Sequence, residues 1–358
     1  MKKVILIFST LILMCPAAFA YNWGTCSGNF VYFWPGTAVN FHASVIGFPV
    51  GNPYQIALNS VVSKWNAAPS KFTYSVTYGD TSVGMNNGES EIWWQASLPE
   101  DFLGYTQYWA NGLCQIYEAD VIFRNTVPYT TSTNKANLDS YGGQYTSFQA
   151  VAMHELGHAQ GLAHTNTIYN VMGDALKHVH TNGDTVTSYP GEDAVNGSMK
   201  IYGAESGKED VGVAHWRYTG TNGEYSTHGP VRVFDANGNA LSKVILLKES
   251  TYNVKKGQTI KLEMTYENMG KTSPITASVN YYISTDSTIS TNDTYIGSGS
   301  VKLYRDVPST TSNTTLVIPN NLTSSKLYYI GVIIDPGNQI VETTESNNRT
   351  YVRIWVSN

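Results

Sequence analysis

Charge is thin in this chain, and no basic block occurs anywhere in it. Lys and Arg number 22 and Asp and Glu 27, a formal net charge of −5 with only 14% charged residues. Without a basic stripe or cluster, nucleic acid drops out as a partner. Beyond residue 20 no apolar run is long enough to span a membrane, so no transmembrane segment is expected. Cysteine is scarce as well, at 3 in 358 residues. After Gly203 no segment shows convincing helical periodicity.

The first twenty residues read as a secretion signal. Lys2 and Lys3 precede the apolar run Val4 to Met14, and Ala18-Phe19-Ala20 is an A-x-A cleavage site. Cys15 precedes Pro16 and lacks the small residues of a lipidation site, so it belongs to the discarded part. The mature chain is expected to begin near Tyr21 and to be secreted. Cys26 and Cys114 then remain, with one pairing open to them outside the cell. An abundance of Tyr, Gly, Ser, Thr and Asn suits an extracellular β-rich protein.

Two regions follow. In "NPYQIALNSVVSKWNAA" Asn52 is a helix cap and Pro53 the first helical residue, with Tyr54, Leu58, Val61, Val62 and Trp65 on one face. Strand-like runs surround it: "AVNFHASV", "FTYSVTY", "EIWWQA", and "LGYTQYW" joined to "GLCQIYEADVIF" through Asn111-Gly112, a hairpin signal. From "AESGKED" to Asn358 there are strands separated by Gly, Asn, Asp and Pro turns, as in a β-sandwich. The expected division is a signal at 1–20, an α+β domain at 21–203, and a linker with an all-β sandwich at 204–358. A fragment ending near Gly203 is expected to keep small-peptide cleavage.

The chemistry concentrates in "SFQAVAMHELGHAQGLAHTNTIYNVMG". Thr146-x-x-Gln149 reads as a capping box that starts a helix. His154 and His158, four apart, leave the same helix face and can reach one zinc ion. Glu155 sits at the edge of that face, where it can act on a water without replacing a ligand. Ala152, Leu156 and Ala159 form the apolar stripe. Gly161 ends the helix and turns the chain so that His164 becomes a third ligand. Three protein ligands leave one position open, the arrangement of a catalytic site. A lone histidine is more often packed or solvated, but each position of this long string serves a separate need.

"HELGHAQGLAH" followed by Met172 resembles the metzincin clan of zinc endopeptidases, in which a methionine turn lies beneath the zinc histidines. Thr165 after the third histidine, and Asp174 where other branches place a tyrosine, are similar to the matrixin branch. "LGYTQYWANGLCQIYEADVIF" and "EDAVNGSMKIYG" extend the likeness over most of Tyr21 to Gly203. No PRCGxPD cysteine switch is present, and the specificity-pocket Pro-x-Tyr is missing after the methionine. The resemblance implies a metzincin-like α+β zinc endopeptidase with His154, His158 and His164 on the metal and Glu155 as general base. The edge strand Leu103, Gly104, Tyr105, Thr106 would take the substrate by strand addition.

"YYIGVIIDPGNQIVETTESNN" is similar to the closing strands of CARDB-type modules, which implies an immunoglobulin-like sandwich. Asp335, Glu342, Glu345 and Asn347 fit a calcium set, though turn chemistry explains them more simply. His178 and His180 read as a surface strand or loop, while His42, His215 and His228 have no motif around them. Trp93 and Trp94 read as one ring on each face of a sheet. The expected protein is a monomer acting on protein or peptide substrates. Its C-terminal module would bind a cell-surface or matrix ligand. The rival reading is an adhesin in which that sandwich is the main functional part.

Overall fold

The computed structural model describes residues 21–26, 30–165, 170–173, 179–214, 216–218, 228–305 and 310–357. The signal sequence, His178 and His215 lie outside these residues.

The N-terminal half is built on five strands. They are β2 (Ala38–Ser44), β3 (Thr73–Asp80), β4 (Glu91–Gln95), β5 (Gly104–Ala110) and β6 (Ile116–Arg124), after a short β1 (Asn22–Trp23). Their order is β3-β2-β4-β6-β5. All neighbours are parallel except β5, which runs antiparallel to β6 and forms an edge. The β5–β6 connection is a five-residue loop, 111–115, wider than a two-residue Asn-Gly turn. Asn111 Oδ1 accepts from Leu113 N and Gln115 N within it.

Helix α1 (Pro53–Ala67) starts where Asn52 accepts a hydrogen bond from Tyr54 N. It buries Leu58, Val61 and Trp65 on the sheet, against Phe41, Ile92 and Phe123. Helix α2 (Phe148–Ala159) packs beside it, its Phe148, Ala152, Leu156 and Ala159 in the same core. The cap of α2 is Ser147, not the expected Thr146: Ser147 Oγ accepts from Ala150 N, and Gln149 Nε2 donates outward to Thr131 O. Trp94 stacks into this core on Phe148, and Trp93 packs on the opposite face with Leu98 and Ile122.

The small strands β7 (Tyr129–Thr130) and β8 (Thr146–Ser147) pair in parallel. Strand β9 (Leu162–Ala163) pairs with β1, and β10 (Val179–Asn182) with β11 (Thr185–Ser188). Helix α3 (Gly191–Tyr202) ends at Gly203.

The C-terminal half is two sheets packed face to face. One holds β12 (Val211–Ala214), β15 (Val233–Asp235), β18 (Thr259–Asn268) and β21 (Thr310–Val317). The other runs β16 (Lys243–Leu246), β17 (Glu249–Lys255), β23 (Arg349–Ser357), β22 (Lys326–Ile334), β19 (Ile275–Ser284) and β20 (Thr294–Leu303). A small pair, β13 (Trp216–Tyr218) with β14 (His228–Pro230), forms a separate two-stranded sheet beside β18 and β21. Val213, Leu262 and Tyr266 of the first sheet meet Tyr281, Ile330 and Ile354 of the second in one buried core. That layering is a β-sandwich.

The two halves share a buried polar seam. Glu267 accepts from Tyr189 Oη at 2.5 Å and from Glu192 N at 3.1 Å, while Glu192 Oε2 accepts from Asn268 N at 3.0 Å. Lys135 meets Glu249 at 3.0 Å, and Thr350 Oγ1 donates to Thr181 O at 2.9 Å. Met269 packs with Tyr189, Val195 and Met199. His180 is 2% exposed in this region, its ring 6.2 Å from that of Tyr189. It is therefore buried rather than a surface residue, because the sandwich covers β10. Asp335, Glu342, Glu345 and Asn347 are engaged in hydrogen bonds at strand ends, for example Val211 N to Glu342 Oε2 at 2.6 Å and Asn347 Nδ2 to Asp210 Oδ1 at 2.8 Å.

This seam changes the expectation for a fragment ending at Gly203. Removing the sandwich uncovers Tyr189, Val195 and Met199 and removes the Glu192 contacts with Glu267 and Asn268. The fragment 21–203 should unfold several degrees below the full chain, a loss of ~2 kcal/mol or more. Equal midpoints by circular dichroism would show that the seam carries nothing.

The seam also makes a pH prediction. Burial pushes Asp210 up to about 7 against its Asn347 and Thr343 hydrogen bonds. A carboxyl raised in the fold contributes its stability in full below its ordinary pKa and loses it as pH rises through about 7. The thermal midpoint of the full chain should fall across that window, and Asp210→Asn should flatten the fall. An identical slope in the variant would remove Asp210 as the cause.

Candidate metal centre

Helix α2 carries His154 and His158 on one face, and the turn after it returns His164 to them. The turn works because Gly161 takes φ of +100°, and a Cβ there would lie 2.5 Å from Tyr32 O. Strand pairing of β1 with β9 then holds the returning chain: Asn22 pairs with Ala163, and Asn22 Nδ2 donates to His164 O at 3.1 Å.

The three Nε2 atoms converge. His154 Nε2 lies 3.0 Å from His164 Nε2 and 3.0 Å from His158 Nε2. His154 Nδ1 donates to Val171 O at 2.6 Å and His158 Nδ1 to Leu162 O at 2.8 Å. A carbonyl can only accept, so each of these rings carries its proton on Nδ1 and turns an Nε2 lone pair toward the others. Burial pushes His154 down to about 4 and so keeps the ring neutral, with the Val171 carbonyl pulling the other way. Facing lone pairs call for a cation between them. Two nitrogens on one tetrahedral zinc stand about 3.3 Å apart, close to the spacing found. The donor set fits zinc.

Glu155 is 4% exposed beside this group. Thr106 Oγ1 donates to its Oε2 at 2.7 Å and also contacts its backbone oxygen at 3.0 Å. Gly104 leaves room for it: a Cβ on that residue would lie 2.7 Å from Glu155 Oε1. Burial raises the carboxyl to about 7, with the Thr106 hydroxyl pulling the other way. Sequence reading assigned Gly104 and Thr106 to a substrate strand. The structure shows them also shaping the glutamate's seat, a role without a local motif.

Met172 is buried beneath the helix, against Gly157, where any Cβ would overlap its sulfur. Its turn is held by Thr165 N to Met172 O at 3.0 Å and by Met172 N to Asn170 Oδ1 at 2.9 Å. Asn170 in turn donates to Asp193 of α3. Cys26 and Cys114 are disulfide-bonded, with Cα atoms 5.9 Å apart. The bond ties the N-terminal segment to the β5–β6 loop, away from the histidines.

Above the histidines runs a cleft of about 520 Å³, lined by Leu103 to Thr106 of the β5 edge, Glu155 and the three histidines. An edge strand over a three-histidine centre is the layout of a metal-dependent peptidase. Residues 59–203 match the matrixin family profile, and residues 244–352 match the CARDB profile. The chain thus carries a matrixin domain, a metalloprotease, followed by a CARDB domain.

Two solved structures resemble its C-terminal part. One is the CARDB domain of the PF1109 protein from Pyrococcus furiosus in complex with di-metal ions: 18% identity, 42% of this chain, 90% of that chain, TM-score 0.25. The other is a solution NMR structure of the same domain: 18% identity, 36% and 94% coverage, TM-score 0.23. At such TM-scores the likeness locates no residue. No curated protein matches the chain.

Gly161→Ala tests the turn. The substitution forces a side chain into a left-handed conformation and against Tyr32 O, and should cost about 1–3 kcal/mol. Because His164 hangs on that turn, zinc affinity should fall together with stability. Full zinc affinity in a destabilised variant would mean that His164 is placed by β9 alone.

Proposed function

We propose that the protein is a secreted zinc endopeptidase that cleaves extracellular proteins or peptides. The observation that carries this reading is the convergence of three histidine Nε2 atoms beside a buried, hydrogen-bonded glutamate under a sheet edge. His154, His158 and His164 would hold the zinc. When bound, zinc lowers the pKa of water and polarises a peptide carbonyl.

The chain supplies the rest. Glu155 is the general base: it takes the proton of the attacking water and hands it to the leaving amine. Burial favours this, since a carboxyl raised toward neutrality both accepts and releases a proton readily. The Thr106 hydroxyl aims the carboxylate. The backbone of Leu103, Gly104, Tyr105 and Thr106 lies along the cleft, where an extended peptide can add as a further strand. Val171 O and Leu162 O fix the ring orientations of His154 and His158.

Secretion is supported by the basic and apolar N-terminus with its A-x-A site and by the Cys26–Cys114 bond. Among the described residues no helix is long and apolar enough to cross a membrane. We read the sandwich as immunoglobulin-like and as the part that holds the enzyme near a surface or matrix ligand.

The test pairs metal content with cleavage of a proteome-derived peptide library. Wild type should bind zinc and cut, and a chelator should stop cleavage. Glu155→Ala should keep its zinc and lose turnover by about three orders of magnitude or more. Near-normal cleavage by that variant would refute the assigned mechanism.

A further inference from the structure

The sheet face turned away from α2 gathers carboxylates that the hydrolytic site does not use. Val39, Phe41, Ile92 and Trp94 face the helices, so alternation puts His42 of β2 and Glu91 of β4 on the other side. Register brings them together: His42 pairs with Glu91, and Ser44 beside it pairs with Asp80 at the end of β3. Glu89 precedes β4 in the connecting loop. One ligand-capable atom each from His42, Asp80 and Glu89 lie within 4.8 Å of one another.

Glu91 supplies an independent sign of a ligand. Its side chain is 0% exposed. Oε2 accepts from Gly84 N at 2.8 Å and Asn87 Nδ2 at 2.9 Å, yet Oε1 is buried with no donor. Asp80 repeats the pattern: Oδ1 accepts from Ser82 N at 2.9 Å, and Oδ2 is buried with no donor. The two carboxyls face each other within hydrogen-bonding reach. Among the described residues no lysine or arginine pairs with Asp80, Glu89 or Glu91. Buried acceptors in contact need a proton or a cation between them.

We propose that His42, Asp80 and Glu89, with buried Glu91 set behind Asp80, form a second metal site, which takes a divalent transition-metal cation, with zinc as the first candidate. An imidazole nitrogen combined with carboxylate oxygens suits zinc and its neighbours, whereas calcium and magnesium favour oxygen alone. Asn40 Nδ2 lies 3.1 Å from His42 Nε2, so an ion on His42 Nδ1 requires the proton to sit on Nε2 and the Asn40 amide to turn its oxygen toward it. Exposed Glu89 leaves an entry path. A cation there ties the 81–90 loop to β2 and β3, on the far side of the sheet from the hydrolytic centre.

The experiment counts zinc in the full chain by mass spectrometry after dialysis against metal-free buffer. Wild type should hold two ions, and His158→Ala should keep the one bound at the second site. His42→Gln and the exposed Glu89→Gln should each lose one ion while peptide cleavage stays near wild type. Added zinc should raise the unfolding midpoint of His158→Ala and not that of the His42→Gln/His158→Ala double variant. A single ion in wild type, unaffected by His42→Gln, would mean that Asp80 and Glu91 share only a proton and would overturn the site. Two ions persisting in both single variants would overturn it as well, by placing the second ion elsewhere. Neither result depends on whether the protein cuts peptides.

Discussion

Three imidazole Nε2 atoms directed at one point are the constraint around which the N-terminal half is arranged. The Nε2 lone pairs of His154 and His158, 3.0 Å apart, do not attract one another. They are held there because the far side of the His154 ring is anchored on Val171 O and that of His158 on Leu162 O. Those carbonyls belong to the chain just after α2 and to the methionine turn. The ring orientations are therefore set by loops, and the loops by what packs under them. Asn170 bridges the turn to Asp193 of α3, and the neighbouring Glu192 reaches Glu267 of the sandwich. Hydrogen bonds joined by single peptide steps thus link the His154 ring to the second domain.

Close approach is the second requirement, and glycine meets it at the points of contact. Gly157 lets Met172 sulfur sit directly under the helix, and Gly104 lets the carboxyl of Glu155 lie against the edge strand. Each of these glycines occupies a regular element, where it costs conformational entropy relative to alanine. The cost is offset by bringing a sulfur and a carboxylate into places that a methyl group would block.

The sequence made the chemical centre legible because a helix converts spacing into geometry. His154, Glu155 and His158 need only one turn of α2 to be placed, and Gly161 announces the reversal. The central strands and α1 were readable for the same reason, from alternation and from the Asn52-Pro53 start. What depended on distant pairing was not readable. His180 looked like a surface residue because nothing local says that a sandwich will cover β10. Thr106 looked like a substrate contact because its bond to Glu155 spans 49 residues. His42 had no motif around it because its neighbours Asp80 and Glu91 arrive from two other strands.

The pairing of β1 with β9 also bears on the order in which the site can be assembled. His154 and His158 are positioned as soon as α2 forms, a local event. His164 waits for Asn22, 142 residues earlier, to dock beside it. Closing so long a loop is entropically costly and belongs late in folding, after the sheet that positions both segments exists. The local Gly161 turn brings His164 back, and the distant Asn22 only then holds it in place. The third histidine therefore depends on the N-terminal strand as well as on its own helix.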